Sequence, residues 1–542
     1  MHHRIESPLD WLLERSGQKG TEPQRLAAGE HLQAIAPQGF SPHDYVVFLL
    51  TMGAEIEHSL MVQYLYAAYS YGGPQVPEEH RPMVKRWQDT LLSIAREEMG
   101  HLMTVQNLLR LLGGPINLSR EDFPWDSKLT PFPFSLEPVT QTLLAQYVVA
   151  ESPTDWGDAA TPEEKAQILA QAAHGAGKPV NRVGALYSYI LTLLDNPVAL
   201  PDADFHAETL PFQATWAEWG RNYGPPPKGD VIGTNMLIDT AYSRQTVVDA
   251  ITRLATQGEA LDLQEDAQYN ETSHFQRFLT LWREFPIVGA AAVRPVASNP
   301  QLPLPSLPSG GKRLRPGKEW TDALAQGVKW RLGSIYRSRL LEGEDAANLL
   351  KEALTEGIET VLRDKVEELG APLSVLGASP PTPILNRVSQ SWAQLFDLRY
   401  RMLLTWLTHS FCLSRLDGTE TATTPRGMVV QRTFGEMYNL KALAFILVQQ
   451  PIAEEDKPLR AGPCFRMPYT LELPLDEPAR WGLHRDLLEA SEILVAELTA
   501  MGVSGREADY LASLRALDAD TIAAIDTILG RGTTPSEIRS RS

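Results

Sequence analysis

The sequence predicts an all-α protein, and three observations support that prediction. Apolar residues recur at helical spacing through most of the chain, in segments that begin at recognisable N-caps and end at glycines. We find no phosphate-binding glycine loop, no Gly-x-Ser-x-Gly elbow and no convincing internal repeat. Two of the helical segments also carry carboxylates and an imidazole among their apolar residues. A helical bundle around a buried polar centre is therefore the expected fold.

The composition limits the size of the domains and the class of partner. A chain of 542 residues is too long for one compact core, so we expect two or three domains. A formal charge of −18 argues against a nucleic-acid surface. No run approaches eighteen uninterrupted apolar residues, and the first residues lack the apolar centre of a signal peptide, so we expect no membrane association and a cytoplasmic location. Cys412 and Cys464 lie too far apart to indicate a zinc site.

The first two helices are the best defined. Ser41 is a suitable N-cap and Pro42 occupies the first helical position, so helix one begins there and runs to the glycine pair at 72–73. Helix two opens at Pro82 and runs past His101 to the glycine pair at 113–114. We expect these two long helices to pack antiparallel.

Shorter helices follow in the next part of the chain. A helix is expected at 139–151, and another begins at the Thr161 N-cap. The third bundle helix is assigned to 181–194, and the aromatic and proline-rich stretch at 199–228 is expected to be a lid or binding loop. Later helices are predicted at 239–257, 273–282, 320–342, 345–369, 384–416, 428–450 and 485–501.

These elements divide the chain into four regions. Residues 1–40 are an N-terminal extension, and residues 41–285 form the metal-binding bundle. Prolines and glycines are dense at 286–318, which predicts a linker. Residues 319–542 are expected to form a C-terminal helical domain. Its role stays open, and the alternatives are that it caps the site or forms a homodimer interface.

The candidate metal ligands lie on the first two helices. Glu98 and His101 form a Glu-x-x-His pair, whose members share one face of a helix and can reach one ion. Glu57 lies among apolar residues on helix one. A buried carboxylate is destabilising unless it is paired or bound to a metal, and two of them would repel each other. A cation between the helices removes both penalties.

These motifs are similar to those of a known family. Glu57 with Tyr64, and Ala95-x-x-Glu98-x-x-His101, resemble the first two helices of ferritin-like proteins. More narrowly, residues 55–58 and 97–101, together with 183–187, 257–259 and 273–278, resemble the ferritin-like domain of the iminophenylpyruvate dimer synthases of indolocarbazole and violacein pathways. Residues 461–465 resemble the C-terminal helical region of the same group. The resemblance implies a ferritin-like four-helix bundle with long inserts.

The resemblance also implies a ligand set. By that likeness Glu57, Glu98 and His101 are metal ligands, and Glu259 and His274 are the contribution of the fourth helix. The third helix has Ala185 where a glutamate is expected, and an alanine methyl group cannot coordinate a cation. The alternatives are a single ion held by the first three residues, or an uneven pair completed by Glu259 and His274.

The expected function follows from these ligands. Carboxylates and imidazoles suit iron, with manganese as the alternative. Haem stays a further alternative, although the sequence has no haem-attachment motif. Tyr64 lies seven residues from Glu57 on the same face, and we expect its hydroxyl to take part in the site. We predict a non-haem iron oxidoreductase of secondary metabolism that uses dioxygen or peroxide on an amino-acid-derived small molecule, with oxidative imine coupling as one variant. The alternative is a non-catalytic ferritin-like scaffold whose carboxylates pair with arginines such as Arg277.

Overall fold

A computed structural model describes residues 40–123, 125, 130–220, 236–259, 273–303, 379–415, 424–454, 458–468 and 471–530. Those residues are overwhelmingly helical. Their one sheet is a parallel pair of two-residue strands, β1 (Pro300–Gln301) and β2 (Thr382–Pro383), in which Pro300 pairs with Thr382. The all-α prediction is confirmed. The extension at 1–39, the helices predicted at 320–342 and 345–369, and much of the predicted linker lie outside the described residues.

The two longest helices form the centre of the bundle. Helix α1 (Pro42–Ser70) begins where the Ser41 hydroxyl accepts the backbone N–H of Asp44, and α2 (Arg81–Leu111) ends before Gly113, whose φ is +71°. The two helices pack along most of their length. Helix α1 is apolar and long enough to span a membrane by composition alone, but 72% of its most apolar window is buried inside the protein.

Five further helices complete the described part of the bundle. Helices α3 (Gln141–Ala150) and α4 (Pro162–Ala176) pack against each other, and α3 also packs against α8 (His274–Glu284). Helix α5 (Val183–Leu194) contacts α1 and α7 (Arg244–Glu259). The start of α4 carries the predicted capping box, in which Thr161 and Glu164 each accept the other's backbone N–H. A short helix, α6 (Trp216–Trp219), lies in the predicted lid.

The C-terminal half adds four long helices, which are α9 (Arg387–Ser410), α10 (Pro425–Leu447), α11 (Glu477–Ala500) and α12 (Gly505–Ile528). Helix α9 packs against both α10 and α11, and α12 packs against α11. Sequence reasoning gave no prediction for α12. A buried arginine, Arg399, donates to Glu436 and Asp518 and so joins α9 to α10 and α12.

One continuous apolar core includes residues of the bundle and of the C-terminal helices. The Tyr400 ring of α9 reaches α1, where its hydroxyl lies 2.5 Å from His58 Nε2. Tyr69 of α1 packs edge-on against Phe445 of α10. Arg426 at the start of α10 forms a buried ion pair with Glu218 of α6, 2.7 Å away. The described C-terminal helices therefore lie directly on the bundle.

Candidate metal centre

The first ligand group comes from α1 and α2. Side-chain atoms of Glu57, Glu98 and His101 all lie within 4.8 Å of one another, and all three residues are buried. His101 Nδ1 is 3.4 Å from Glu57 Oε2 and 3.1 Å from Glu98 Oε2. The three-residue spacing of Glu98 and His101 places both on the face of α2 that meets α1. The structure thus brings together the three ligands predicted on these helices.

A second group shares Glu98 with the first. Glu98, Glu151 and His274 also have ligand atoms within 4.8 Å of one another, and all are buried. Glu151 follows the last residue of α3, and His274 is the first residue of α8. His274 Nδ1 lies 2.8 Å from Glu98 Oε1 and 3.8 Å from Glu151 Oε2. Glu98 therefore stands between two sets of ligands, each completed by one more carboxylate and one imidazole.

The two imidazoles have the same orientation. His101 Nε2 is 2.9 Å from Gln257 Oε1, and His274 Nε2 is 2.9 Å from Glu97 Oε2. Since an amide oxygen and a carboxylate can only accept, each Nε2 carries the proton and donates it. Each Nδ1 is then the ring atom that faces the carboxylates. A cation bound at Nδ1 would leave the proton on Nε2, which is the tautomer that such a metal ligand requires.

Two tyrosines orient the carboxylates of Glu57 and Glu151, which we call the outer carboxylates because each belongs to only one ligand group. The Tyr64 hydroxyl donates to Glu151 Oε1 and the Tyr187 hydroxyl donates to Glu57 Oε1, each over 2.5 Å. Tyr187 comes from α5 and passes over Gly53, where an added Cβ would lie 3.3 Å from its oxygen. Both bonds are directed at an oxygen of a ligand carboxylate, so the tyrosines fix the orientation of these groups.

Burial and charge oppose each other strongly in this centre. Burial raises the pKa of Glu57, while for Glu98 burial is outweighed by the neighbouring His274 and His101, which lower the pKa. Burial alone would lower the pKa of His101, but the adjacent Glu98 and Glu57 raise it to about 10. Without a cation, protons on the imidazoles therefore compensate the carboxylates. A divalent cation would supply the same positive charge.

The polar atoms of the centre fit a metal better than they fit one another. Glu98 Oε1 and His274 Nδ1 are fully buried and 2.8 Å apart, yet neither makes a hydrogen bond of acceptable direction within the described residues. Buried polar groups normally have a partner. Three carboxylates and two imidazoles are a donor set that suits iron or manganese. The residues present therefore fit a centre of one or two such ions.

The described surroundings of the centre are closely packed. Tyr64, Tyr147 and Phe278 pack with ring centroids 4.6 to 5.2 Å apart beside Glu151. Gly258 on α7 lies so close that a Cβ there would be 3.2 Å from Glu151 Oε2. On the α2 side, a Cβ on Gly100 would collide with the carbonyl oxygen of Leu237. The ligands thus lie in a tightly packed interior.

The comparisons with known proteins agree with this geometry. A family profile described as "Ferritin-like" matches residues 50–283. These residues form a ferritin-like domain. The domain contains Glu57, Glu98, His101, Glu151 and His274, so both ligand groups belong to it.

Two curated relatives match part of this chain. Dichlorochromopyrrolate synthase from Lentzea aerocolonigenes is 33% identical over 129 residues, which is 20% of this chain and 13% of that protein. The 2-imino-3-(indol-3-yl)propanoate dimerase from Chromobacterium violaceum is 32% identical over 131 residues, which is 19% of this chain and 13% of that protein. The matches thus span about one eighth of each relative. No solved structure matches this chain.

The structure corrects the prediction for the third helix. The sequence leads us to expect a carboxylate at position 185 of α5, where the chain has alanine, whereas the structure supplies Glu151 at the end of α3. One signal in the sequence could have found it, because Glu151 lies four residues after Tyr147 in an apolar stripe.

The remaining predicted residues have different outcomes. Tyr64 bonds a ligand carboxylate as expected, but the carboxylate is Glu151 and not one on its own helix. Its part in catalysis stays a prediction. Glu259 is the last residue of α7, and its side chain lies outside the described residues. Tyr187, Gln257 and Glu97 contact the centre and were not predicted to do so.

Proposed function

We propose that this protein is an iron-dependent oxidoreductase of natural-product biosynthesis that acts on an amino-acid-derived small molecule with dioxygen or peroxide. The observation that supports it best is the pair of buried ligand groups that share Glu98. The similarity to a dichlorochromopyrrolate synthase and to a dimerase of 2-imino-3-(indol-3-yl)propanoate supports the substrate class. A cytoplasmic location, manganese as the alternative metal and a homodimer stay predictions.

Each residue of the centre has a defined task in this proposal. Iron with oxygen and nitrogen ligands would supply redox chemistry with dioxygen. Glu57, Glu98 and Glu151 provide the negative charge that retains the cation, and His101 and His274 offer Nδ1. Tyr64 and Tyr187 keep the outer carboxylates in place. The packed aromatic rings exclude water from a reactive centre.

Oxidative coupling of two imino acids is the reaction to test first. Joining two such molecules by a carbon–carbon bond removes two electrons and two protons from the pair, and one dioxygen accepts them as hydrogen peroxide. We expect purified protein given Fe(II) and 2-imino-3-(indol-3-yl)propanoate to consume dioxygen and form a dimer detectable by mass spectrometry. Dioxygen consumption without a dimer would point to another amino-acid-derived substrate.

The metal requirement is tested separately by elemental analysis. Glu98 belongs to both ligand groups, so Glu98→Ala should remove bound iron almost completely. His101→Ala should lower the iron content. Glu55→Gln is the matched control, because Glu55 lies on α1 two residues from Glu57 but bonds Asn117, outside both groups. Normal iron content in Glu98→Ala would overturn the proposal.

The scaffold alternative requires arginine or lysine partners for the buried carboxylates. Arg277 does pair with a buried carboxylate, but its partner is Glu97, which belongs to neither ligand group. Among the described residues, no arginine or lysine forms an ion pair with Glu57, Glu98 or Glu151. The arrangement therefore favours a bound cation over a set of structural ion pairs.

A further inference from the structure

The two histidines of the centre differ in what holds them. His274 donates its Nε2 proton to the carboxylate of Glu97, which in turn accepts from both terminal nitrogens of Arg277. His101 donates to the neutral side-chain amide of Gln257. Glu97 has no exposed surface and Gln257 has 3%, so neither bond is weakened by solvent.

The other features of the two ligand groups are matched. Both groups share Glu98, and each adds one carboxylate and one imidazole Nδ1. Each added carboxylate accepts a tyrosine hydroxyl over the same 2.5 Å, Glu57 from Tyr187 and Glu151 from Tyr64. Within the described residues, the two positions therefore match in residue types, apart from the partner of the histidine.

That difference changes the strength of the metal ligand. A carboxylate that accepts the Nε2 proton pushes electron density into the imidazole and makes Nδ1 a stronger donor, which a neutral amide does less well. Arg277 keeps Glu97 ionised and in a fixed orientation through two hydrogen bonds. Loss of such an outer partner typically reduces metal affinity 10–100-fold.

We propose that the two positions are unequal, and that the position formed by Glu98, Glu151 and His274 binds a divalent cation first and more tightly. This inference rests on the metal centre of the proposed function. In it, Glu97 and Arg277 are positioning residues for the first ion, and Gln257 keeps the second position weaker. Partial loading of the protein would then fill one defined position.

The experiment is a titration of metal-free protein with Mn(II) under nitrogen, followed by calorimetry and by the electron paramagnetic resonance signal of free Mn(II). We expect two steps in the wild type that differ at least tenfold in affinity. His274→Ala should remove the tight step, whereas His101→Ala should leave it in place. Two equal steps, or loss of the tight step in His101→Ala, would overturn the inference.

Two exchanges of the outer partners test the cause. Glu97→Gln should weaken the first step about 10–100-fold and leave the second nearly unchanged. Gln257→Glu, the reciprocal change, should tighten the second step. The double variant Glu97→Gln/Arg277→Gln avoids an unpaired buried guanidinium and should reproduce the effect of Glu97→Gln. An unchanged first step in both Glu97 variants would contradict the assigned role.

The same titration separates the two proposals. If wild-type protein binds no Mn(II) and no Fe(II), the metal centre itself is wrong and the order of binding falls with it. If two ions bind with equal affinity, the metal centre stands and only the inequality is wrong. Circular dichroism of each variant verifies that the helices are intact.

Discussion

At the scale of single residues, the hydroxyl of Tyr187 shows how α5 takes part in a centre to which it contributes no ligand. It donates to Glu57 Oε1 from a fully packed position over Gly53. The hydroxyl of Tyr64 makes the corresponding hydrogen bond to Glu151. Burial raises the pKa of Tyr64 most, and the nearby carboxylates raise it further. The Tyr64 hydroxyl therefore remains a protonated donor at neutral pH.

Replacing Tyr187 by phenylalanine removes one hydrogen bond and almost no volume. Tyr187→Phe should lower the affinity for Fe(II) about tenfold, because Glu57 loses the bond that orients it. Its effect on the free energy of unfolding should be about 1 kcal/mol. Both quantities can be measured, by anaerobic titration and by urea unfolding.

Tyr189→Phe is the control for that change. Tyr189 lies two residues further along α5, and its ring packs against Tyr45, away from the ligands. It should retain wild-type affinity for iron. Equal losses in the two variants would show that α5 had shifted as a whole and that the bond to Glu57 was unimportant.

Glu57, Glu98 and His101 are predictable from the sequence because each has a local signal. Glu98 and His101 share a spacing that suits a metal, and Glu57 is a carboxylate in a long apolar stripe. Glu151 follows a short helix, and its partners lie 53 residues upstream and 123 residues downstream in the sequence, so no spacing within one helix identifies it. Only the packing of α3 against α8 brings it to the centre.

At the scale of elements, α2 is held close to the segment that precedes α7. Gly100 lies next to His101, and the backbone of Leu237 approaches it so closely that any side chain would collide with the carbonyl oxygen. The segment is fixed by Asn107, whose amide donates to Ala214 and Asp239 over 2.8 Å each. This close contact covers the α2 side of the ligands.

Gly100→Ala should therefore destabilise the protein, by about 1–3 kcal/mol, because the helix and the segment have to move apart. Metal affinity should fall as well, since His101 is the adjacent residue. The free energy of unfolding in urea and an iron titration give the two values.

Gly435→Ala provides a matched comparison in the same chain. Gly435 is inside α10, and a Cβ there would meet nothing within 4 Å. Since alanine favours a helix over glycine by roughly 0.5–1 kcal/mol, this change should stabilise. Destabilisation of similar size in both variants would contradict the steric explanation for Gly100.

Helix ends were predicted well because they depend on neighbouring residues. Ser41, Thr161 and the glycines after α2 act within one turn of the chain, and the structure has caps at all three places. The choice of which helices meet depends on distant parts of the chain. That is why the sequence predicts 181–194 as the third bundle helix and leaves its ligand position vacant at Ala185, although the carboxylate comes from Glu151 directly after α3.

At the scale of the whole molecule, a buried ion pair joins the insert to the C-terminal helices. Arg426 has 1% of its surface exposed and donates to both carboxylate oxygens of Glu218 and to the carbonyl oxygens of Ser410, Leu413 and Gln213. Five acceptors satisfy one guanidinium. The insert at 213–219 is thereby fixed to α9 and α10.

Arg426→Met should lower the free energy of unfolding by about 3–5 kcal/mol, because Glu218 would remain buried and unpaired. The double variant Arg426→Met/Glu218→Leu removes both charges and should recover a substantial part of that loss. Urea unfolding of the wild type and the variants measures both effects. A double variant no better than Arg426→Met would show that the carbonyl contacts are more important than the charge.

A second buried carboxyl makes the stability of the molecule depend on pH. Burial raises the pKa of Asp397 on α9 to about 7, against the partly opposing effect of Arg466. The folded state therefore holds a proton that the unfolded chain releases near pH 4. Between these values the free energy of unfolding falls as the pH rises, by roughly 1.4 kcal/mol per unit of pKa shift.

Asp397→Asn should remove this contribution. Relative to the wild type, the variant should gain stability as the pH is raised from 5 to 8, which urea unfolding at the two pH values can verify. Asp520→Asn, which removes a solvent-exposed carboxylate on α12, is the control. A parallel pH profile for Asp397→Asn and the wild type would mean that Asp397 is ionised throughout.

The spread of the ligands along the chain has a consequence for biosynthesis. More than two hundred residues separate Glu57 from His274, and the two ligand groups draw on four separate helical segments. During translation the first acidic side chains emerge long before the last imidazole. The full set of candidate ligands is therefore assembled only after the whole domain has left the ribosome, so the proposed centre would be loaded with metal late in maturation.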